Sequence, residues 1–357
     1  MMAIERKKCL YYVVCVIALL FLCNSILAQT TTGKKATFVF RVPFGKAINN
    51  IGVQWGDPAG MPENNSTCGI SVCADGDIYI GDFVQNKIKR YSTKGEFLGV
   101  IGGATVLPFT TDFAGNVYVS GMMVAKYAKD GHLLWQKTVR DLIPDEQFVK
   151  AEKDMNVKID RSFSGSVDAS KKELMVKMHA KGTDVTSSRN ISAVFDNDGK
   201  FVKFLPYYPK VSGGLYWTYK RENIAVNDNE PPGSATISIY SERGNLIKEL
   251  KPDFTIDADK HYKGRLADGG FDIITDNRDN IWVKTIGKID TPIVIKKGVE
   301  VNREYILNKY NLDGTFVEEL RLPYSPFMAA APITVAEDGT LYYMQFDKDG
   351  INVMAYK

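Results

Sequence analysis

Histidine is nearly missing from this chain: its 357 residues include three, His132, His179 and His261. No two stand at a ligand spacing such as H-x-x-x-H, and a zinc site built on three imidazoles would need all of them together. Cysteine is almost as scarce. Of the five, Cys9, Cys15 and Cys23 lie in an apolar N-terminal segment, which leaves Cys68 and Cys73. Those two share one expected strand, "CGISVC", on which their Cα atoms would stand about 16 Å apart, beyond disulfide reach. They read as small buried thiols, a bridge being open only if Cys68 lies in the loop before the strand. A charge excess is also lacking, since 45 Lys+Arg against 42 Asp+Glu gives a net charge of +3. That balance excludes the basic face expected of a nucleic-acid binder. Nor is there a G-x-S-x-G elbow, a phosphate-binding loop or a dinucleotide fingerprint in a strand-to-helix setting.

What is present starts with a leader. Arg6, Lys7 and Lys8 precede an apolar run from Leu10 to Leu22, and a small residue follows at Ala28. This is the pattern of a secretory signal over residues 1–28, and it places the remainder, 29–357, outside the cytoplasm as a secreted or periplasmic domain. Left uncleaved, the same run is long enough to span a bilayer and would be the chain's membrane contact.

Beyond the leader a short pattern recurs: an aromatic, three spacers, a glycine, one spacer, then an apolar residue. It occurs at Tyr91/Gly95/Phe97, Tyr127/Gly131/Leu133, Phe195/Gly199/Phe201, Tyr240/Gly244/Leu246 and Tyr310/Gly314/Phe316. Each copy reads as a β-hairpin whose turn needs a positive φ, which glycine adopts at little cost. A second hairpin precedes each, best seen in "GISVCADGDIYIGD" from Gly69 to Asp82. Two hairpins in tandem make a four-stranded antiparallel sheet, and six such units bury both faces of every sheet only by closing radially. The sixth unit, ending in "INVMAYK", lacks an outer strand, and "ATFVFRV" at 36–42 is a spare one. The expected architecture is therefore an all-β, six-bladed propeller whose last blade is completed by the N-terminal strand.

The run "GISVCADGDIYIGDFVQNKIKRYSTKGEFLGVIGG" resembles the NHL-repeat family of six-bladed propellers, and more loosely the TolB-like group. "GDIYIGD", then Asn86 and "KIKRY", is similar to the family's strand–Asp–Asn–strand unit. The second blade, with "VYVSGMMVAKY", departs from it. The resemblance implies that catalytic members work at the channel mouth, with calcium held by oxygen ligands or zinc held by histidines. Too few histidines remain here for the zinc-dependent lyases, because His132 falls in a turn on the opposite face.

Loop lengths divide the two faces of the expected ring. Turns within each hairpin, such as "ADGD" and "STKG", are short, whereas the segments on the other face are long. Six long segments on one face suggest a working surface. One of them carries Pro144, Asp145, Glu146, Phe148, Ala151 and Met155 at helical spacing, so a short amphipathic helix is expected within 143–158, either as a lid over the channel or as a packed decoration. Asp82, His179, Asp228, His261, Tyr262 and Lys284 are the candidate binding residues of this face. Asp82, Asn227, Asp228 and Asp347 lie near the ends of second strands and would be the ligands if calcium binds; the competing role for such residues is to hold loop backbone. Trp55, Tyr207 and Tyr208 are further candidate contacts, and Trp217 reads as core. Lys288, Lys296 and Lys297 suit an acidic partner or a solvated loop. The expected function is non-catalytic binding of a protein, peptide or glycan, with no cofactor. The alternative is a calcium-dependent lactonase or esterase-like hydrolase.

Overall fold

The computed structural model describes residues 36–52, 67–102, 109–162, 165–169, 173–182, 188–212, 215–222, 234–241, 243–251, 272–275, 280–296, 299–311, 313–323, 333–346 and 349–357. The leader lies outside them, as do Trp55, Asn227, Asp228, His261, Tyr262 and Asp347.

Ala36–Lys357 folds as six antiparallel sheets. Blade 1 shows the plan, with inner strand Thr67–Val72, second strand Ile78–Asp82, third strand Lys87–Tyr91 and outer strand Phe97–Ile101. The inner strands of successive blades touch one another around the ring, and that of blade 6, Ile333–Val335, meets that of blade 1. Blade 6 is completed by Thr37–Pro43, which pairs antiparallel with Gly350–Tyr356 from Thr37 opposite Ala355 to Pro43 opposite Gly350. The closing strand is thus the one expected from the sequence.

The core divides as the ring does, with one apolar cluster at each junction between blades. At the closure, Phe40 and Val42 pack with Met344, Ile351 and Val353 of blade 6 and with Ile70, Ile78, Ile80 and Tyr91 of blade 1. Full burial of an aliphatic or aromatic side chain stabilises by about 1.5–3 kcal/mol, so Phe40 and Val42 alone outweigh a marginal strand pairing. Trp217, expected in the core, is buried between blades 4 and 5.

The recurring glycine has two reasons to be glycine. In blade 2 the turn is closed by Ala128 N–H to the His132 carbonyl and Gly131 N–H to the Ala128 carbonyl, and Gly131 sits at φ +95°. A Cβ there would also stand 2.6 Å from the Val100 carbonyl oxygen on the outer strand of blade 1. Gly314 likewise abuts Leu250 of the preceding blade, at 2.6 Å. The hairpin tip is therefore a contact between blades as well as a reversal of the chain.

Each outer strand of blades 1–5 then skips one residue in its pairing, which leaves Leu98, Leu134, Val202, Ile247 and Val317 unopposed and exposed. Bulges of this kind twist an edge and blunt it against pairing with another chain.

Two departures from the four-strand plan matter. Blade 3 has a fifth strand, Val157–Ile159, because its second strand Glu173–Gly182 runs ten residues and overhangs the inner strand Val167–Ala169; the extra strand pairs with the overhang at Ala180–Gly182. In blade 5 the segment from Thr285 to Glu304, expected as a loop, is instead the extension of a long hairpin made by Asn280–Lys296 and Val299–Asn311.

The expected helix forms at Asp145–Met155, preceded by a short helix at Val139–Leu142. Thr138 and Asp141 cap the short helix reciprocally, side chain to backbone in both directions. Phe148 is fully buried and packs against Phe204 on the outer strand of blade 3 at 5.5 Å between ring centroids. Ala151 joins the same core cluster between blades 2 and 3. Of the two roles weighed for this helix, its burial is that of a packed element.

Candidate functional site

The hairpin-turn face is tied together blade to blade. Arg90 donates through Nη1 to the Lys129 carbonyl at 3.0 Å, Tyr79 Oη to the Gly115 carbonyl at 3.0 Å, and Lys126 Nζ to the Asn197 carbonyl at 2.8 Å. Lys248 Nζ reaches the Asp313 carbonyl in the same manner between blades 4 and 5. In each case the acceptor lies in a short turn of the next blade. Those turns are short because a longer one would lose these contacts.

Among the described residues, one group on this face has metal-ligand chemistry. Sγ of Cys73 and carboxylate oxygens of Asp75 and Asp77 lie within 4.8 Å of one another. Their charge is already answered: Asp77 accepts from Arg90 at 2.6 Å, Lys129 lies 3.0 Å from Asp77 and also pairs with Asp75, and the thiol donates to Asp75 at 2.7 Å. Cys73 is free, and burial pushes its thiol pKa up, so it remains protonated. The cluster is another link between blades 1 and 2.

On the opposite face, Asp82 ends the second strand of blade 1 and is fully buried. Its Oδ1 accepts the Gln85 N–H at 2.9 Å, which closes the turn, and Asn86 takes a left-handed conformation at φ +54° to start the next strand. Its Oδ2 accepts the Gly52 N–H at 2.8 Å and the Lys89 ammonium at 2.6 Å. Lys89 is also fully buried and donates to the Asn50 carbonyl; burial lowers its pKa, opposed by the hydrogen bond to Asp82. Gln85 Nε2 reaches the Gly45 carbonyl at 3.0 Å and Tyr91 Oη the Asn49 carbonyl at 3.1 Å. Asp82 and its neighbours therefore clamp the connector 44–52 that leads from the closing strand into blade 1. Both carboxylate oxygens are engaged, and a calcium ion at Asp82 would have to displace Lys89.

The other described candidates lie on other blades. His179 is exposed on the second strand of blade 3, where its carbonyl accepts the Asp160 N–H at 2.9 Å. Lys284 is buried in blade 5 with Nζ 5.9 Å from the Tyr305 ring centroid. Asp82, His179 and Lys284 thus belong to blades 1, 3 and 5. Tyr207 stacks on Tyr240 at 4.4 Å, and burial raises its pKa to about 12.

Sequence reasoning missed the apolar tips of this face. The turns joining second to third strands expose Phe83 and Val84 in blade 1 and Met122 and Met123 in blade 2, and the connector adds Ile48. Met122 is 79% exposed and Phe83 50%. The signal was present in "GDFVQN" and "SGMMVA", where a reverse turn carries large apolar residues instead of the polar ones turns favour.

No family model matches the chain, and no curated protein does. Solved structures similar to it include a luciferin-regenerating enzyme, 11% identical over 82% of this chain and 91% of that one, with a TM-score of 0.44. A streptogramin B lyase is 13% identical over 88% of this chain and 100% of that one, with a TM-score of 0.40. A member of the DUF4221 family from Bacteroides vulgatus is 10% identical over 90% and 98%, with a TM-score of 0.43. The six-bladed ring itself rests on the strand order and the closed circuit of inner strands described above.

Proposed function

We propose that the chain is an exported, NHL-like propeller of the cell envelope that binds a protein, peptide or glycan partner through its long-loop face, without catalysis and without a cofactor. The observation that carries this reading is the pair of adjacent turns that expose Phe83, Val84, Met122 and Met123 on that face. Side chains of this type in turns cost solvation free energy when bare, and apolar patches of this kind mark interaction sites. Met and aromatic residues are also enriched at contact surfaces. The opposite face is committed to latches between blades, which leaves it little freedom to vary. The hydrolase alternative needs a calcium site at the channel mouth, and the engagement of Asp82 with Lys89 and backbone weakens it.

The test is capture from an envelope extract of the native host with the wild-type chain and with Phe83→Asp/Met122→Asp. Loss of the captured partner in the double variant, with an unchanged melting temperature, is the expected result. Equal capture by both proteins would overturn the assignment of this surface, and a chelator-sensitive hydrolytic activity would favour the alternative.

A further inference from the structure

The apolar tips of the long-loop face rise from one junction and carry a rim of positive charge. The turn with Phe83 and Val84 and the turn with Met122 and Met123 are anchored by the core cluster shared by blades 1 and 2, through Ile88 after the first and Val119 and Ala125 on either side of the second. Gln85 ties the connector to the first turn, donating through Nε2 to the Gly45 carbonyl at 3.0 Å and the Asn50 carbonyl at 3.4 Å, so exposed Ile48 lies in the stretch held against that turn. Gln136 Nε2 donates to Met123 Sδ at 2.7 Å, which holds Met123 while Met122 projects. In these segments Lys46, Lys137 and Arg140 are exposed and Lys87 is half-buried. Lys137 pairs opposite Val124, next to Met123, and Lys87 ends the turn that holds Phe83. The carboxylates of the same segments are committed, Asp82 to Lys89 and Asp141 to Thr138.

Main-chain pairing cannot capture a partner here. The strands that carry the two turns, Ile78–Asp82, Lys87–Tyr91, Val117–Val119 and Val124–Tyr127, are the second and third strands of their sheets and are paired on both sides. Recognition therefore falls to side chains, and an amphipathic helix offers apolar anchors at fixed spacing on a backbone that satisfies itself. Methionine suits the receiving side, because its unbranched thioether adapts to anchors of different shape. We propose that this surface receives an acidic amphipathic helix of the protein partner, with the apolar stripe on Phe83, Met122 and Ile48 and the carboxylates on Lys46, Lys137 and Arg140. Apolar burial supplies the affinity, and the cationic rim speeds the encounter and rejects a basic helix. The inference rests on the binding function proposed above and names the shape and charge of the partner's segment.

The test uses the full chain and a fluorescein-labelled peptide, Glu-Leu-Ala-Glu-Leu-Leu-Glu-Ala-Leu-Glu-Glu-Leu-Leu-Ala, with two controls: the same peptide with lysine for glutamate, and a peptide of the same composition whose leucines are scattered around the helix. Fluorescence anisotropy and circular dichroism read the result. The acidic peptide should bind at least about tenfold more tightly than either control and gain helix as it binds. Phe83→Ser/Met122→Ser should weaken it about tenfold. Lys46→Glu/Lys137→Glu/Arg140→Glu should weaken the acidic peptide about tenfold and strengthen the lysine peptide, an exchange that damage to the fold would not produce. No binding of the acidic peptide, equal binding of all three, or an unchanged preference in the charge-reversed chain would each overturn the proposal. Binding to phosphatidylglycerol vesicles that Phe83→Ser/Met122→Ser abolishes, with peptide binding unaffected, would overturn it in favour of a lipid surface. The capture experiment with Phe83→Asp/Met122→Asp reads the loss of any partner whatever its shape or charge, so the two claims fail separately.

Discussion

If the repeated glycine is a contact between blades as well as a turn residue, then two copies of the same glycine should differ in what alanine costs. Gly131 and Gly244 occupy the same position in blades 2 and 4, at φ +95° and +82°. Alanine at either pays for the left-handed conformation, about 1–2 kcal/mol, offset by roughly 0.4–1 kcal/mol from the less flexible unfolded chain. At Gly244 the nearest atom to a new Cβ is Tyr207 Oη at 3.7 Å, an ordinary contact, so little more is added. At Gly131 the Cβ would stand 2.6 Å from the Val100 carbonyl oxygen, and backbone cannot rotate away as a side chain can. Overpacking of this kind adds about 1–3 kcal/mol. Gly131→Ala should thus cost about 2–4 kcal/mol and Gly244→Ala about 1 kcal/mol. With about 2–4 °C per kcal/mol in a domain of this order of size, calorimetry should show drops of about 4–16 °C and about 2–4 °C. Equal drops would refute the reasoning, because the approach of one blade to the next would then contribute nothing.

Lys89→Met leaves the Asp82 carboxylate buried without its cation and should cost about 3–5 kcal/mol in urea unfolding, most of it recovered in Asp82→Asn/Lys89→Met. Replacing Lys288–Arg303 by an Asn-Gly turn should leave the ring folded, with the melting temperature within a few degrees of wild type, roughly, because the blade-5 core lies below the overhang. The hydrogen bonds from Thr138 hold the Asp141 carboxyl below the usual carboxylate range. A carboxylate whose folded pKa is depressed contributes above its unfolded pKa and loses that contribution as pH falls through the folded value. The capping of the Val139–Leu142 helix should accordingly loosen in acid, which the Thr138 and Asp141 amide shifts would report, and Asp141→Asn should flatten that pH dependence.

The ring was legible because its signals are local and repeated. A turn glycine four residues after an aromatic recurs often enough to count blades, and a spare alternating strand at one end matched a missing one at the other. The blade-5 hairpin reads as a loop in sequence because "TIGKIDTPIVIKKGVEVNRE" carries Gly287 and Pro292, which normally interrupt strands; Pro292 falls in the irregular register between Lys288 and Ile293, whereas Gly287 pairs regularly with Glu304. The candidate site was less legible. Asp82 was singled out as a ligand candidate, but its role depends on Gly52 and Lys89, whose approach only the fold reveals. Phe83 and Met122 went unnoticed because a lone apolar turn residue is common; they gain meaning from sharing one face.

Photocross-linking would show whether the partner meets that face. A benzophenone amino acid placed in turn at Phe83, Met122 and Phe113 would be irradiated in native envelope extract. Phe113 is the control, an exposed residue in a turn of the opposite face. Partner adducts are expected from positions 83 and 122 and none from 113. Adducts from 113, or equal yields from all three positions, would contradict that expectation.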